Sequence, residues 1–151
     1  MDLGLISNLM LGFDTALSLQ NILYCTIGVT IGTLIGVLPG MGPVATVAML
    51  LPATYALPPT SALIMLAGIY YGASYGGSTT AILVNIPGEA SAVVTCLDGH
   101  MMAKRGRAGF ALGIAALGSF FAGCVATLLI AAFAPPLTEL AFQSDRPNTS
   151  V

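Results

Sequence analysis

LQNILYCTIGVTIGTLIGVLPGMGP, from Leu19 to Pro43, sets the architecture of this chain. Up to Leu38 it holds no charged residue, and as a helix rising about 1.5 Å per residue it reaches about 30 Å, the thickness of a bilayer's hydrocarbon core. Its second part, Gly36 to Pro43, places two prolines and three glycines where a regular helix cannot continue. A span that ends in a break while the sequence stays apolar points to a membrane protein with interrupted helices.

The flanking sequence extends this reading. No Asp, Glu, Lys or Arg occurs from Thr15 to Gly88, and none from Ala108 to Thr138. The first run suffices for about three crossings and the second for one. Of the 151 residues, 56% are hydrophobic and 7% charged, against about 25% charged in soluble domains. Mean hydropathy is +0.93 and net charge −2. Too few charges exist to cover a water-facing surface. A nucleic-acid binder needs a basic face, and disorder needs low hydrophobicity. The first basic residue is Lys104, so the N-terminus lacks the basic region of a cleaved signal peptide. Cys25, Cys96 and Cys124 are far apart and fit no metal pattern. They read as small apolar fillers.

The expected fold is therefore all-α: a polytopic membrane protein of about four hydrophobic segments, including broken or re-entrant helices. Residues 1–17 predict an interfacial helix with Asn8 and Asp14 on an otherwise apolar pattern. Residues 18–88 hold the first membrane segments and two breaks. After Gly36 to Pro43 comes a short stretch, residues 43–57, with Pro52 inside it. The second break begins in YYGASYGGSTT (Tyr70 to Thr80) and ends in NIPGE (Asn85 to Glu89). Residues 89–107 predict a polar loop. Its Lys104, Arg105 and Arg107 place it in the cytoplasm by the positive-inside rule. Residues 108–134 form a full span ended by Pro135 and Pro136, and residues 144–151 predict a disordered tail.

Two ladders repeat glycine every fourth residue: Gly28, Gly32, Gly36, Gly40 and Gly68, Gly72, Gly76. On helices such spacing makes a strip that a second backbone can approach. Packing accounts for Gly28, Gly32 and Gly68. The glycines beside prolines and hydroxyls suggest a site instead. Helix ends inside a membrane offer N–H groups and a positive dipole end to an anion, and freed carbonyls to a cation. Pro39, Gly40 and Gly42 in the first break, and Ser78, Thr79, Asn85, Pro87 and Gly88 in the second, are the candidate solute- or ion-binding residues. A half-helix opening near Ser78, after Gly76-Gly77, would supply the anion-attracting end. Pro39 and Pro87 would free carbonyls, while Gly40, Gly42 and Gly88 would permit backbone approach.

No catalytic residue is expected. The apolar region holds no paired carboxylates, His100 lies in the basic segment, and no base stands near Ser or Thr in sequence. No cofactor is expected, and the identity of any metal is open.

GVLPGMGP, YYGASYGGSTTAILVNIPGE and TCLDGHMMAKRGRAGFALGIAALGSFFAG, in this order and spacing, resemble the large membrane subunit of tripartite tricarboxylate transporters, the TctA family. The resemblance covers residues 1–143. Family members are much longer, with two related halves, so this chain resembles the N-terminal half of an inverted-repeat transporter and is expected to be a truncated product or fragment. The tail from Ser144 lies outside the resemblance. The resemblance implies a multi-pass permease of the bacterial inner membrane that takes up tricarboxylates or related carboxylates with a sodium or proton gradient. Its partners would be a small membrane subunit, a periplasmic solute-binding protein, the carboxylate and the lipid bilayer, with no nucleic acid. As a partial chain it is expected to be inactive alone. The alternative is a membrane scaffold whose glycines serve only packing.

Overall fold

The computed structural model describes residues 2–144, and every regular element among them is helical. The elements are α1 (Asp2–Ala16), α2 (Leu19–Gly36), α3 (Pro43–Thr54), α4 (Pro59–Val84), a 3-10 turn (Ala90–Ala92), α5 (Val93–Lys104) and α6 (Ala108–Ser144). The chain divides into two units, Met1–Leu112 and Gly113–Val151. The all-α membrane fold is as the sequence predicts. α2 and Ala108–Phe133 of α6 are long and apolar enough to cross a bilayer.

The first unit is built on the α2·α4 pair. A methyl group placed on Gly28 would lie 2.5 Å from the Met65 carbonyl oxygen, and one on Gly68 would lie 2.8 Å from that of Cys25. Gly32 faces the backbone of Ile69, Gly36 that of Ala73, Gly72 that of Val29 and Gly76 that of Thr33. Both ladders therefore interlock, backbone against backbone, and advance together along the chain. The two helices run parallel. Packing explains all six of these glycines, including Gly36, Gly72 and Gly76.

At the start of the pair a buried polar chain sets the register. Ser61 Oγ donates to Asn21 Oδ1 at 2.6 Å, and Asn21 Nδ2 donates to the Thr15 carbonyl at 2.8 Å. Asn21 and Ser61 are both buried. Unpaired polar groups are costly in an apolar medium, so a helix shifted by one residue is penalised.

Because α2 and α4 are parallel, the segment between them must return over the length of the pair. Twelve residues of α3 rise about 18 Å, and Tyr55 to Pro58 complete the return. Pro43 starts α3 at a position whose N–H needs no partner, and Pro59 does the same for α4.

Three sequence expectations change. α4 runs unbroken from Pro59 to Val84, so no half-helix opens at Ser78. Gly76 and Gly77 cost helix propensity, but burial against neighbouring backbone holds them helical. Residues 89–107 are not a loop: the 3-10 turn and α5 occupy most of them. α5 closes at Gly106 (φ 76°), where Gly106 N–H donates to Ala103 O and Arg107 N–H to Met102 O, each at 3.0 Å. This is the left-handed glycine ending that satisfies the last carbonyls of a helix. Finally, α6 continues through Pro135 and Pro136 to Ser144. A proline inside a long helix removes one hydrogen bond and can kink the helix without ending it. The predicted tail from residue 145 onward lies outside the described residues. α1 is helical as expected.

α5 packs on the last turns of α4. Ala81, Ala92 and Cys96 form a buried cluster, consistent with Cys96 as a small apolar filler. Gly99 faces the Ile82 side chain, and His100 Nδ1 lies 3.0 Å from the Ile82 carbonyl oxygen.

Candidate functional site

The two sequence breaks meet on the side of α4. α2 ends with tightened turns: Val37 N–H donates to Thr33 O at 3.0 Å and Leu38 N–H to Ile35 O at 2.9 Å. The chain then turns at Gly40, whose φ of 88° suits glycine. Gly42 precedes α3 in extended conformation with no side-chain cap. The second break starts at Asn85, held left-handed at φ 61°, and continues through Pro87. It folds back so that Gly88 reaches Gly77: a methyl group on Gly88 would lie 2.9 Å from Gly77 Cα and 3.8 Å from the Gly36 carbonyl oxygen. One on Gly42 would lie 3.8 Å from the Gly88 carbonyl oxygen and from Glu89 Cβ. Gly36, Gly42, Gly77 and Gly88 thus form one junction.

Two helix ends meet there, the C-terminus of α2 and the N-terminus of α3. The N-terminus of α3 is open: among the described residues the N–H groups of Val44 and Ala45 make no hydrogen bond. Thr46 donates to Gly42 O twice, from its N–H at 3.2 Å and its Oγ1 at 3.1 Å, and its side chain is fully buried. The C-terminus of α2 brings carbonyls, that of Gly36 among them. An open helix start attracts negative charge and open ends attract positive charge. Among the described residues no three His, Cys, Asp or Glu side chains gather as for a metal.

The predicted residues separate into groups. Gly42 and Gly88 are at the junction, with Pro87 beside them. Ser78 follows Gly77 directly. Its hydroxyl donates to Ser74 O at 3.1 Å, and Thr79 donates to Tyr75 O at 2.9 Å. Both side chains are half-buried, with their donors committed to the helix and their oxygen lone pairs left to accept. Pro39 and Gly40 are exposed, and nothing lies within 4 Å of a methyl group on Gly40. Gly40 therefore makes a turn rather than a close approach. Nor does Pro39 orphan a carbonyl, since Leu38 N–H takes the Ile35 oxygen. Asn85 lies at the end of α4, about 12 Å along the axis from Gly77.

Gly36, Gly77, Thr46 and Glu89 belong to the neighbourhood although none of them is among the candidate binding residues read from the sequence. One signal was present. In the Gly76-Gly77 doublet, Gly76 serves the α2 contact and Gly77 the second break. Thr46 and Glu89 carried no local signal.

The chain matches the model of the family described as "Tripartite tricarboxylate transporter TctA family" over residues 22–149. The match passes Ser144, so the part of the tail up to residue 149 is not foreign to the family. A curated relative, "Uncharacterized 52.8 kDa protein in TAR-I ttuC' 3'region" of Agrobacterium vitis, is 64% identical over 146 residues, covering 97% of this chain and 29% of the relative. This chain thus spans less than a third of that relative's length. No solved structure matches. The interlocked helix pair, the paired breaks and the family match lead to one assignment: the chain belongs to the tripartite tricarboxylate transporter TctA family.

Proposed function

We propose that these residues form part of a permease for cation-coupled uptake of tricarboxylates or related carboxylates. The junction of Gly36, Gly42, Gly77 and Gly88 contributes to its solute and ion site. The observation that carries this reading is the meeting of both breaks beside the uncapped start of α3. A carboxylate would take the free N–H groups of Val44 and Ala45. A sodium ion or a proton carrier would meet carbonyl and hydroxyl oxygens, including those of Ser78 and Thr79. Packing alone accounts for the ladder glycines but leaves the open start of α3 without a role, which disfavours a pure scaffold. The remaining parts of such a system are a small membrane subunit and a periplasmic solute-binding protein.

Orientation follows from charge. Lys104, Arg105 and Arg107 end and follow α5, which packs on the last turns of α4, and basic residues next to spans stay in the cytoplasm. In a bacterial inner membrane this puts the Asn21–Ser61 end of the pair toward the periplasm. The junction lies about 24 Å along α4 from Ser61. A cysteine replacing Arg105 should react with a membrane-impermeant thiol reagent in inverted vesicles and not in intact cells, in a background lacking the native cysteines. Labelling from outside intact cells would overturn the orientation.

The functional test is a chimera. Residues 22–149 replace the matching segment of a tricarboxylate permease with measurable citrate uptake. The chimera should retain uptake within about tenfold, while the 151-residue chain alone in liposomes should give none, because alternating access needs a second repeat or bundle. A membrane-inserted chimera with no citrate uptake would argue against a shared site.

A further inference from the structure

α4 ends without the usual closure of its last turn. Among the described residues no backbone N–H from Asn85 to Gly88 donates to the carbonyls of Ala81 to Val84. Asn85 turns left-handed, and Pro87 has no N–H to give. Four acceptors are therefore left at the helix end without a backbone donor. The one hydrogen bond described for them comes from another element: His100 Nδ1 to the Ile82 oxygen, at 3.0 Å.

We infer that His100 is a positioning residue which holds the second break against the first by closing the end of α4. A carbonyl only accepts, so Nδ1 is the donor in this bond. Gly99 makes the bond reachable. A methyl group there would lie 2.8 Å from Ile82 Cγ1, so the glycine lets α5 approach until the next residue meets the Ile82 carbonyl. The segment from Asn85 to Glu89 is then held at two points: Gly88 against Gly77, and the Ile82–His100 bond across its ends. Without the second hold, Gly88 keeps a backbone contact with no directional bond to fix it. The consequence for solute binding rests on the permease reading, whereas the bond and its mechanical effect do not.

Asparagine and glutamine separate this role from general packing. The Asn amide nitrogen falls near the position of Nδ1, and the Gln nitrogen falls one bond farther, near Nε2. The test is amide hydrogen exchange of the whole 151-residue chain in lipid nanodiscs, followed over residues 83–89, with residues 25–36 and 66–76 as a fold reference. His100→Ala and His100→Gln should speed exchange over residues 83–89 about tenfold, the loss of one closing bond. His100→Asn should stay within about twofold of the parent, and the reference segments should not change. Parent-like exchange in His100→Ala, with the reference intact, would overturn the inference. Should His100→Ala disturb the reference segments, the Asn and Gln variants decide, and equal exchange in those two overturns it. The measurement uses no solute, so loss of citrate uptake in the chimera would leave its result standing, and the reverse holds too.

Discussion

Gly72→Ala should destabilise the chain by about 2 to 3 kcal/mol, the upper part of the range for overpacking, and Gly72→Leu should prevent the α2·α4 pair from forming. The added methyl group would press on the Val29 carbonyl oxygen and lie 2.9 Å from Thr33 N. These are backbone atoms of a facing helix, with no side chain to rotate aside, so the helices must separate. Separation then opens the contacts at Gly32, Gly36, Gly68 and Gly76 as well, because they belong to the same interlock. Alanine adds about 1 kcal/mol of helix propensity, which the clash exceeds. Gly12 supplies the contrast. It lies in α1 with nothing within 4 Å of an added methyl group, so Gly12→Ala should leave stability unchanged or raise it by up to about 1 kcal/mol. Reversible unfolding in mixed detergent micelles, followed by helicity, gives both values. A Gly72→Ala chain as stable as the parent would mean that the parallel pair is not the core.

Gly88→Ala should lower the initial rate of citrate uptake by the chimera at least tenfold at unchanged membrane levels. Its methyl group would meet Gly77 Cα at 2.9 Å and push the second break off α4. A displacement of about 1 Å at a binding site can cost about a hundredfold. Gly77→Ala and Gly42→Ala should be much milder, within about threefold, because their added methyl groups would lie at ordinary contact distances of 3.6 Å or more. The order matters more than any single value. Equal losses at Gly42, Gly77 and Gly88 would indicate a general need for glycine, and full uptake in Gly88→Ala would remove the junction from the site.

Much of this was legible without coordinates. The charge-free run from Thr15 to Gly88 requires burial in lipid or protein whatever the fold, because transfer of apolar surface from water is favourable. Helices follow from that, since backbone groups in lipid must bond within their own segment. Gly28, Gly32 and Gly68 were readable as contact points because glycine at every fourth position lines one face of each helix. The break at Gly36 to Pro43 follows from proline chemistry, and the family from three motifs in order.

Other features depended on partners that local sequence does not name. Gly76-Gly77 and the hydroxyls after it look like a break, yet α4 stays helical. The missing side chains there are replaced by the backbones of Thr33, Gly36 and Gly88, so tertiary contact outweighs a propensity cost of about 1 kcal/mol per glycine. The segment around Asp98, His100 and Lys104 reads as a polar loop by charge. It is a helix because Gly99 and Cys96 give it a face that fits Ala81 and Ile82.

Composition and spacing determined that this is a helical membrane chain with two interruptions and two glycine ladders, because each of those properties is local, and the resemblance of three motifs pointed to the TctA family. Tertiary structure alone decided that the ladders face each other in parallel, that both interruptions meet at Gly77, and that His100 closes α4. Each of these is a contact between residues distant in sequence. Its energy exists only once the two backbones lie within van der Waals or hydrogen-bond reach, and no pattern within either segment encodes that distance.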